Sequence, residues 1–184
     1  MNEFDCYCIT LLDEAKRFLE IASEKYKIDQ NNNVVPYLRA SLLISFSSLE
    51  AIVFGVSDDF VDSTALSLHE KAFLDEKEII LKNGDFEISD RLKMTRLTDR
   101  IEFLMQKFKP NSLNKNDAWW PQLNEGIRKR NSIVHPRENE KLTIENVRIY
   151  IYAIIQCIDA IYRAVYGRGF PQRSLGLTAK NNFD

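Results

Sequence analysis

Apolar residues along the chain recur at spacings of three and four, the period of helices that lie with one face on a core. From about Glu3 to Lys27, Phe4, Leu11, Leu12, Ala15, Leu19 and Ala22 fall on one stripe. The polar run from Ile28 to Asn33 interrupts it. A second helix is predicted to begin near Pro36, where a missing N–H costs nothing in a first turn. It continues through YLRASLLISFSSLEAIVFGV, apolar nearly all round, and is expected to be the central, most buried helix. Asp62 or Ser63 is placed to cap a third helix over STALSLHEKAFLDEK. Asn83-Gly84 between short apolar runs signals a small β-hairpin near residues 78–88. A fourth helix is expected from about Ser89 to Phe108, with Met94, Leu97, Ile101, Leu104 and Phe108 as its stripe. A fifth runs from near Asp117 to His135, with Pro121 close to its start and Pro136 stopping it. The sixth follows the N-cap Thr143 and ends at Gly167. The pattern predicts an all-α, up-and-down bundle of about six helices in one domain, residues 1–167, with a hairpin insertion. Residues 168–184 show no period and read as a flexible or partner-bound tail.

Composition narrows the choice of function. The chain has 184 residues, 45% of them hydrophobic and 28% charged, ample for one core. A formal net charge of −2 argues against non-specific coating of duplex nucleic acid, so any nucleic-acid contact must come from a local patch. The odd cysteine count (Cys6, Cys8 and Cys157) and the lack of a CxxC pair disfavour a disulfide framework and a zinc site. The N-terminus has no basic segment before an apolar block, and no uninterrupted apolar stretch of membrane-spanning length stands out. The expectation is a cytoplasmic protein with no membrane partner, no metal and no cofactor. Six glycines without a phosphate-loop pattern, and an exposed-looking His69, leave other enzyme chemistries without support. Trp119-Trp120 reads either as a base-stacking platform or as a helix start packed on the core.

Two charges occupy positions where the helical period calls for apolar residues. On the fifth helix the stripe runs Leu123, Ile127, Arg130, Val134. Arg130 lies seven residues, roughly two turns, above Leu123. On the second helix Glu50 sits among Leu43, Phe46 and Phe54. Charges are seldom buried without a partner, so a charge-assisted hydrogen bond from Arg130 to Glu50 is expected. This pairing fits a site that Glu50 orients and equally a structural ion pair. His135 precedes Pro136, which pushes it out of the helical conformation and lets it turn toward Arg130. There it serves either as an acid or base near neutral pH or as a cap on the last carbonyls. Arg128, Lys129, Asn131 and Arg137 make this helix end locally basic, as a phosphate-binding surface or as a solvated cationic terminus.

The run Arg130-Asn131-Ser132-Ile133-Val134-His135, at the end of a late helix and before Pro136, resembles the RX4-6H motif of the HEPN superfamily. The segment Ser45–Ala51 resembles that family's buried helix with its acidic residue. The resemblance implies a helical bundle that pairs as a homodimer with a composite active site. It also implies a metal-independent endoribonuclease in which the ribose 2′-hydroxyl attacks its own phosphate, leaving 2′,3′-cyclic phosphate and 5′-hydroxyl ends. By that resemblance His135 transfers protons, Arg130 stabilises charge on the phosphoryl oxygens, Asn131 contacts the phosphate or positions the pair, and Glu50 orients Arg130. Arg128, Lys129 and Arg137 would contact RNA. Many members are toxins or phage-defence effectors, some with an antitoxin that modifies a tyrosine two residues past the histidine. Arg137 stands there in this chain, so that mode of inhibition is not expected. The other implied reading is an inactive domain that binds RNA or dimerises.

Overall fold

The computed structural model describes residues 3–31, 33–60, 64–136, 141–180 and 182, with side chains from residue 7 onward. Their order is α1 (Glu3–Ile28), α2 (Val35–Asp58), α3 (Leu68–Leu74), β1 (Lys77–Lys82), β2 (Asp85–Leu92), α4 (Leu97–Phe108), α5 (Trp119–Val134), α6 (Ile144–Val165) and a 3-10 turn, Arg173–Leu175. The expected helical architecture with one hairpin is present among these residues. Leu12, Ala15, Leu19 and Ala22 bury the predicted stripe of α1, while the side chain of Phe4 lies outside the described residues.

The α1–α2 seam is close because its contact residues are small and polar. Ser41 Oγ donates to the Ala15 carbonyl at 2.7 Å, and Ser48 Oγ to the Cys8 carbonyl at 2.7 Å. Each hydroxyl is buried and satisfied, so neither costs desolvation without return. α2 has the length and mean hydropathy (1.7) of a membrane-crossing helix, which its interspersed serines, Arg39 and Glu50 hid from the reading above. Here 56% of its most apolar window is buried inside the protein. The more completely buried helix is α6, where Ile151, Ala153, Ile154, Ile155, Cys157 and Ile158 are enclosed on every side. The expectation that α2 is the most buried therefore gives way to α6. Burial pushes the Cys157 thiol far up, leaving it protonated.

Between α2 and α4 the chain departs from the expected boundaries. Asp62 and Ser63, the expected caps of α3, lie outside the described residues. The cap observed is Ser67, in a reciprocal capping box with Glu70. The hairpin turns at Asn83 (φ 53°) and Gly84 (φ 96°), the two left-handed residues that a tight hairpin turn needs. Its second strand runs on to Leu92, paired with Lys77, so Ser89–Leu92 is strand where helix was expected. α4 starts at Leu97, and Met94 is 80% exposed rather than part of a core stripe. Pairing with β1 outweighs the helical spacing here, since the ladder from Lys77–Leu92 to Lys82–Asp85 satisfies the facing backbone groups of both strands.

The segment expected to be a loose tail is docked. Asp159, buried on α6, accepts from Arg163 Nε at 2.8 Å and from the Phe170 N–H at 2.9 Å, and pairs with Arg173 Nη1 at 2.8 Å. Phe170 is 3% exposed. Farther on, the N–H groups of Ala179 and Lys180 donate to Glu20 and Asp13 of α1 at 3.0 and 2.7 Å.

Two predictions follow from this packing. A Cβ on Gly126 of α5 would lie 3.1 Å from Phe46 Cζ and 3.2 Å from Tyr150 Cβ. Overpacking of about 1–3 kcal/mol against a helix-propensity gain of about 1 kcal/mol leaves Gly126→Ala destabilised by about 1 kcal/mol in urea denaturation; a raised midpoint would show that Phe46 yields freely. The Lys107 ammonium at 2.8 Å, with the Ser67 N–H, holds the Glu70 carboxyl down to about 2 from 4.5. A depressed folded value stabilises above the unfolded one and is lost as pH falls from about 4.5 to about 2. Glu70→Gln is therefore expected to show a flatter melting-temperature profile over that window than wild type.

Candidate functional site

On α5, Leu123 and Gly126 are buried, and Ile127, Arg130 and Ile133 are half-buried. Val134, expected on the core stripe, is 50% exposed. The helical period fixes an angle round the axis, but nothing among the described residues covers that last position. Arg130 lies at the edge of the core, not within it. Its Nη2 donates to Glu50 Oε1 of α2 in a short charge-assisted bond, and its Nη1 donates to Asn131 Oδ1 at 2.9 Å. The Glu50 and Arg130 side chains retain 34% and 27% of their exposure, so solvent reaches both. The pairing expected from two misplaced charges is thus present.

The pair forms one wall of a cleft of about 740 Å³ between α2, α4, α5 and the segment preceding α4. Phe46, Glu50 and Phe54 line it from α2, Arg96 and Arg100 from the α4 side, and Arg128, Arg130 and Asn131 from α5. Four arginines face two glutamates, Glu50 and Glu76, so the lining carries excess positive charge in a protein whose overall charge is −2. Arg128 sits at the rim, exposed and paired with Glu125.

Arg100 is the residue that the sequence reading missed. It is 2% exposed. Its Nη1 pairs with Glu76 Oε2 at 2.9 Å. Its guanidinium carbon lies over the Phe54 ring, 4.1 Å from the centroid. Burial lowers its pKa, and Glu76 and then Glu50 oppose that effect. Glu76 is committed as well: its Oε1 accepts from the Thr95 N–H at 3.0 Å and the Thr95 hydroxyl at 3.3 Å. Its backbone has φ 54°, a left-handed conformation that a non-glycine residue adopts only where its surroundings impose it. The sequence signal for Arg100 existed: three residues after Leu97 and four before Leu104, it falls on the buried stripe of α4.

His135 caps α5 with φ −124° and ψ 71°, outside the helical region, as its place before Pro136 predicts. Its backbone N–H donates to the Asn131 carbonyl at 2.8 Å. Its side chain is exposed and, like Lys129, does not line the cleft. Arg137 lies outside the described residues. Glu50, Arg128, Arg130 and Asn131 are therefore brought together at one cleft, and His135 and Lys129 stand outside it. Trp119 and Trp120 are half-buried, packed edge to face on each other at 5.6 Å and set against the core, which favours an anchoring role over a free stacking platform. Cys8 and Cys157 are buried free thiols, and no group of three or more metal-ligating side chains occurs among the described residues. No protein-family model, no curated protein and no solved structure matches the chain.

The two ion pairs differ in solvent access, and so should their deletions. Glu76→Gln leaves a buried guanidinium uncompensated and is expected to cost about 3 kcal/mol in urea denaturation. Glu50→Gln breaks a half-exposed pair and is expected to cost less than about 1 kcal/mol. Equal costs would mean that the two sites do not differ in burial as described.

Proposed function

We propose that this chain is a HEPN-like domain that acts as a metal-independent endoribonuclease, with Arg130 and His135 as its catalytic residues. The observation that carries the reading is the hydrogen-bonded row Glu50–Arg130–Asn131 on the wall of a basic cleft. An arginine whose only task was to neutralise a core carboxylate would need no open cleft beside it.

In this reading the 2′-oxygen of a ribose attacks the adjacent phosphorus, and the bond from phosphorus to the 5′-oxygen breaks. Arg130, held in orientation by Glu50, meets the negative charge that grows on the non-bridging oxygens. Asn131 fixes the guanidinium and supplies an amide to the phosphate. One proton leaves the 2′-hydroxyl and one reaches the departing 5′-oxygen, and an exposed imidazole at the end of α5 is free to move either. Each chain carries one His135, so a homodimer that sets two α5 ends side by side would supply two imidazoles to one phosphate. Arg128, Lys129 and Arg137 extend the contact along the RNA backbone. Many proteins of this kind serve as toxins or phage-defence effectors, some with a partner protein as inhibitor, and this reading places the chain in the cytoplasm without a cofactor.

The position of His135 outside the cleft favours a second reading, a domain that keeps the phosphate surface for RNA binding or dimerisation without cleavage. Product ends separate the two. Wild type is expected to cut single-stranded RNA in EDTA and leave 2′,3′-cyclic phosphates, and Arg130→Ala and His135→Ala should each lose at least about a hundredfold in rate while keeping the wild-type melting temperature. Unchanged cleavage in both variants would remove the site assignment. Binding without cyclic-phosphate products would favour the non-catalytic module.

A further inference from the structure

Arg100 presents an imbalance that the ion pair with Glu76 does not resolve. Among the described residues its Nε and Nη2 have no hydrogen-bond partner, although both are sealed from water. Buried N–H donors without partners are rare because each forfeits its hydration without return, and the cost is greater on a charged group. Glu76 reaches neither donor in this arrangement: its Oε2 meets Arg100 Nη1, and its Oε1 is turned to Thr95. Glu50, whose field also reaches Arg100, gives its Oε1 to Arg130 and makes no hydrogen bond to Arg100.

The Arg100 guanidinium lies over the ring of Phe54, a side chain that is itself 36% exposed at the cleft. The neighbouring lining residue Met94 is 80% exposed and lies in the irregular segment between β2 and α4. Phe54, Arg100 and Arg130 line the same cleft, so displacement of the Phe54 side chain would enlarge the space beside both arginines. The two guanidiniums come from different helices, each is pinned by one carboxylate, and Arg96 and Arg128 add positive charge at the rim.

We propose that Arg100 is a second phosphate-binding residue of this cleft, whose two unpartnered donors are satisfied by a phosphate group that enters when Phe54 swings aside. The ligand class is a phosphate-bearing anion held between Arg100 and Arg130. Its source is either the backbone of single-stranded RNA or a free phosphate compound. The inference extends the reading of Arg130 as a phosphate ligand and requires no cleavage chemistry.

The test uses two probes on the full chain. A 2′-O-methyl RNA tetranucleotide lacks the attacking hydroxyl, so it reports binding without cleavage; pyrophosphate represents the free-phosphate source. Calorimetric titration is expected to show that Arg100→Lys, which keeps the charge but loses the planar fork, weakens binding of at least one probe roughly tenfold. Phe54→Ala should tighten pyrophosphate binding by a few-fold. A third measurement needs no variant: with labelled arginine, the Arg100 Nε–H resonance of wild type should shift as the bound probe saturates. Dependence on Arg100 with the tetranucleotide names RNA, and dependence with pyrophosphate alone names a free phosphate compound; both support the site. Wild-type affinity in a folded Arg100→Lys, or a stationary Arg100 resonance at saturation, overturns it. Binding of neither probe to wild type overturns it together with the phosphate role of Arg130. Arg100-dependent binding without cleavage of ordinary RNA upholds the inference and defeats only the nuclease reading.

Discussion

The angular position of Glu50 on α2 decides where the cleft can form. Ser41 and Ser48, two turns apart, face α1 and fix that side of the helix through bonds to the Ala15 and Cys8 carbonyls. Glu50 lies two residues beyond Ser48, roughly 200° farther round the axis, and so emerges on the opposite side. Phe46 and Phe54, each four residues from Glu50, share that side. The tight seam with α1 therefore drives the row Phe46–Glu50–Phe54 toward α4 and α5, where a carboxylate must find a cation. Arg130 meets it from α5, and Arg100 lies within reach of its field from α4.

The two ion pairs show how solvent access changes what one arrangement can do. At Arg130 and Glu50, partly exposed, the bond orients more than it stabilises. At Arg100 and Glu76, with side chains 3% and 12% exposed, each charge depends on the other, because the interior returns little of the lost hydration. Glu76 sits at the junction of α3 and β1, and α3 is anchored by its capping box and by the Glu70–Lys107 bridge to α4. The hairpin then returns the chain to Thr95, which fills the remaining oxygen of Glu76. The excursion between α2 and α4 thus holds the carboxylate that keeps Arg100 in place.

Much of this was legible from helical counting alone, and the failures have definite physical causes. Glu50 and Arg130 stood out because the period of a helix leaves few reasons for a charge on an apolar stripe. The same count marks Arg100, three residues after Leu97 and four before Leu104. Strand pairing from Lys77 to Leu92 overrides the helical spacing that begins at Met94. Glu76 was beyond any periodic argument, since its role depends on a left-handed backbone between two elements. The docking of residues 168–180 was hidden for a related reason. Backbone N–H groups of Phe170, Ala179 and Lys180 make those contacts, and every sequence possesses such groups.

Carboxylates inside a cleft proposed to bind anions look self-defeating, yet in that reading the geometry gives them a use. An arginine left unpaired in a half-buried site would fold back on nearby carbonyls or lose its charge-bearing position to solvent. Glu50 and Glu76 each engage one terminal nitrogen and fix the plane of a guanidinium, whose remaining donors then point in set directions. In the proposed reading a phosphate would find these guanidiniums already oriented, with Phe54 as the side chain that has to move, and preorganised donors of this type are worth more than mobile ones. Attraction over distance falls to Arg96 and Arg128 at the rim, where it is subject to screening by salt. In the proposed reading the division of labour is spatial: rim arginines would gather an anion, and the two carboxylate-pinned arginines within would determine how it sits.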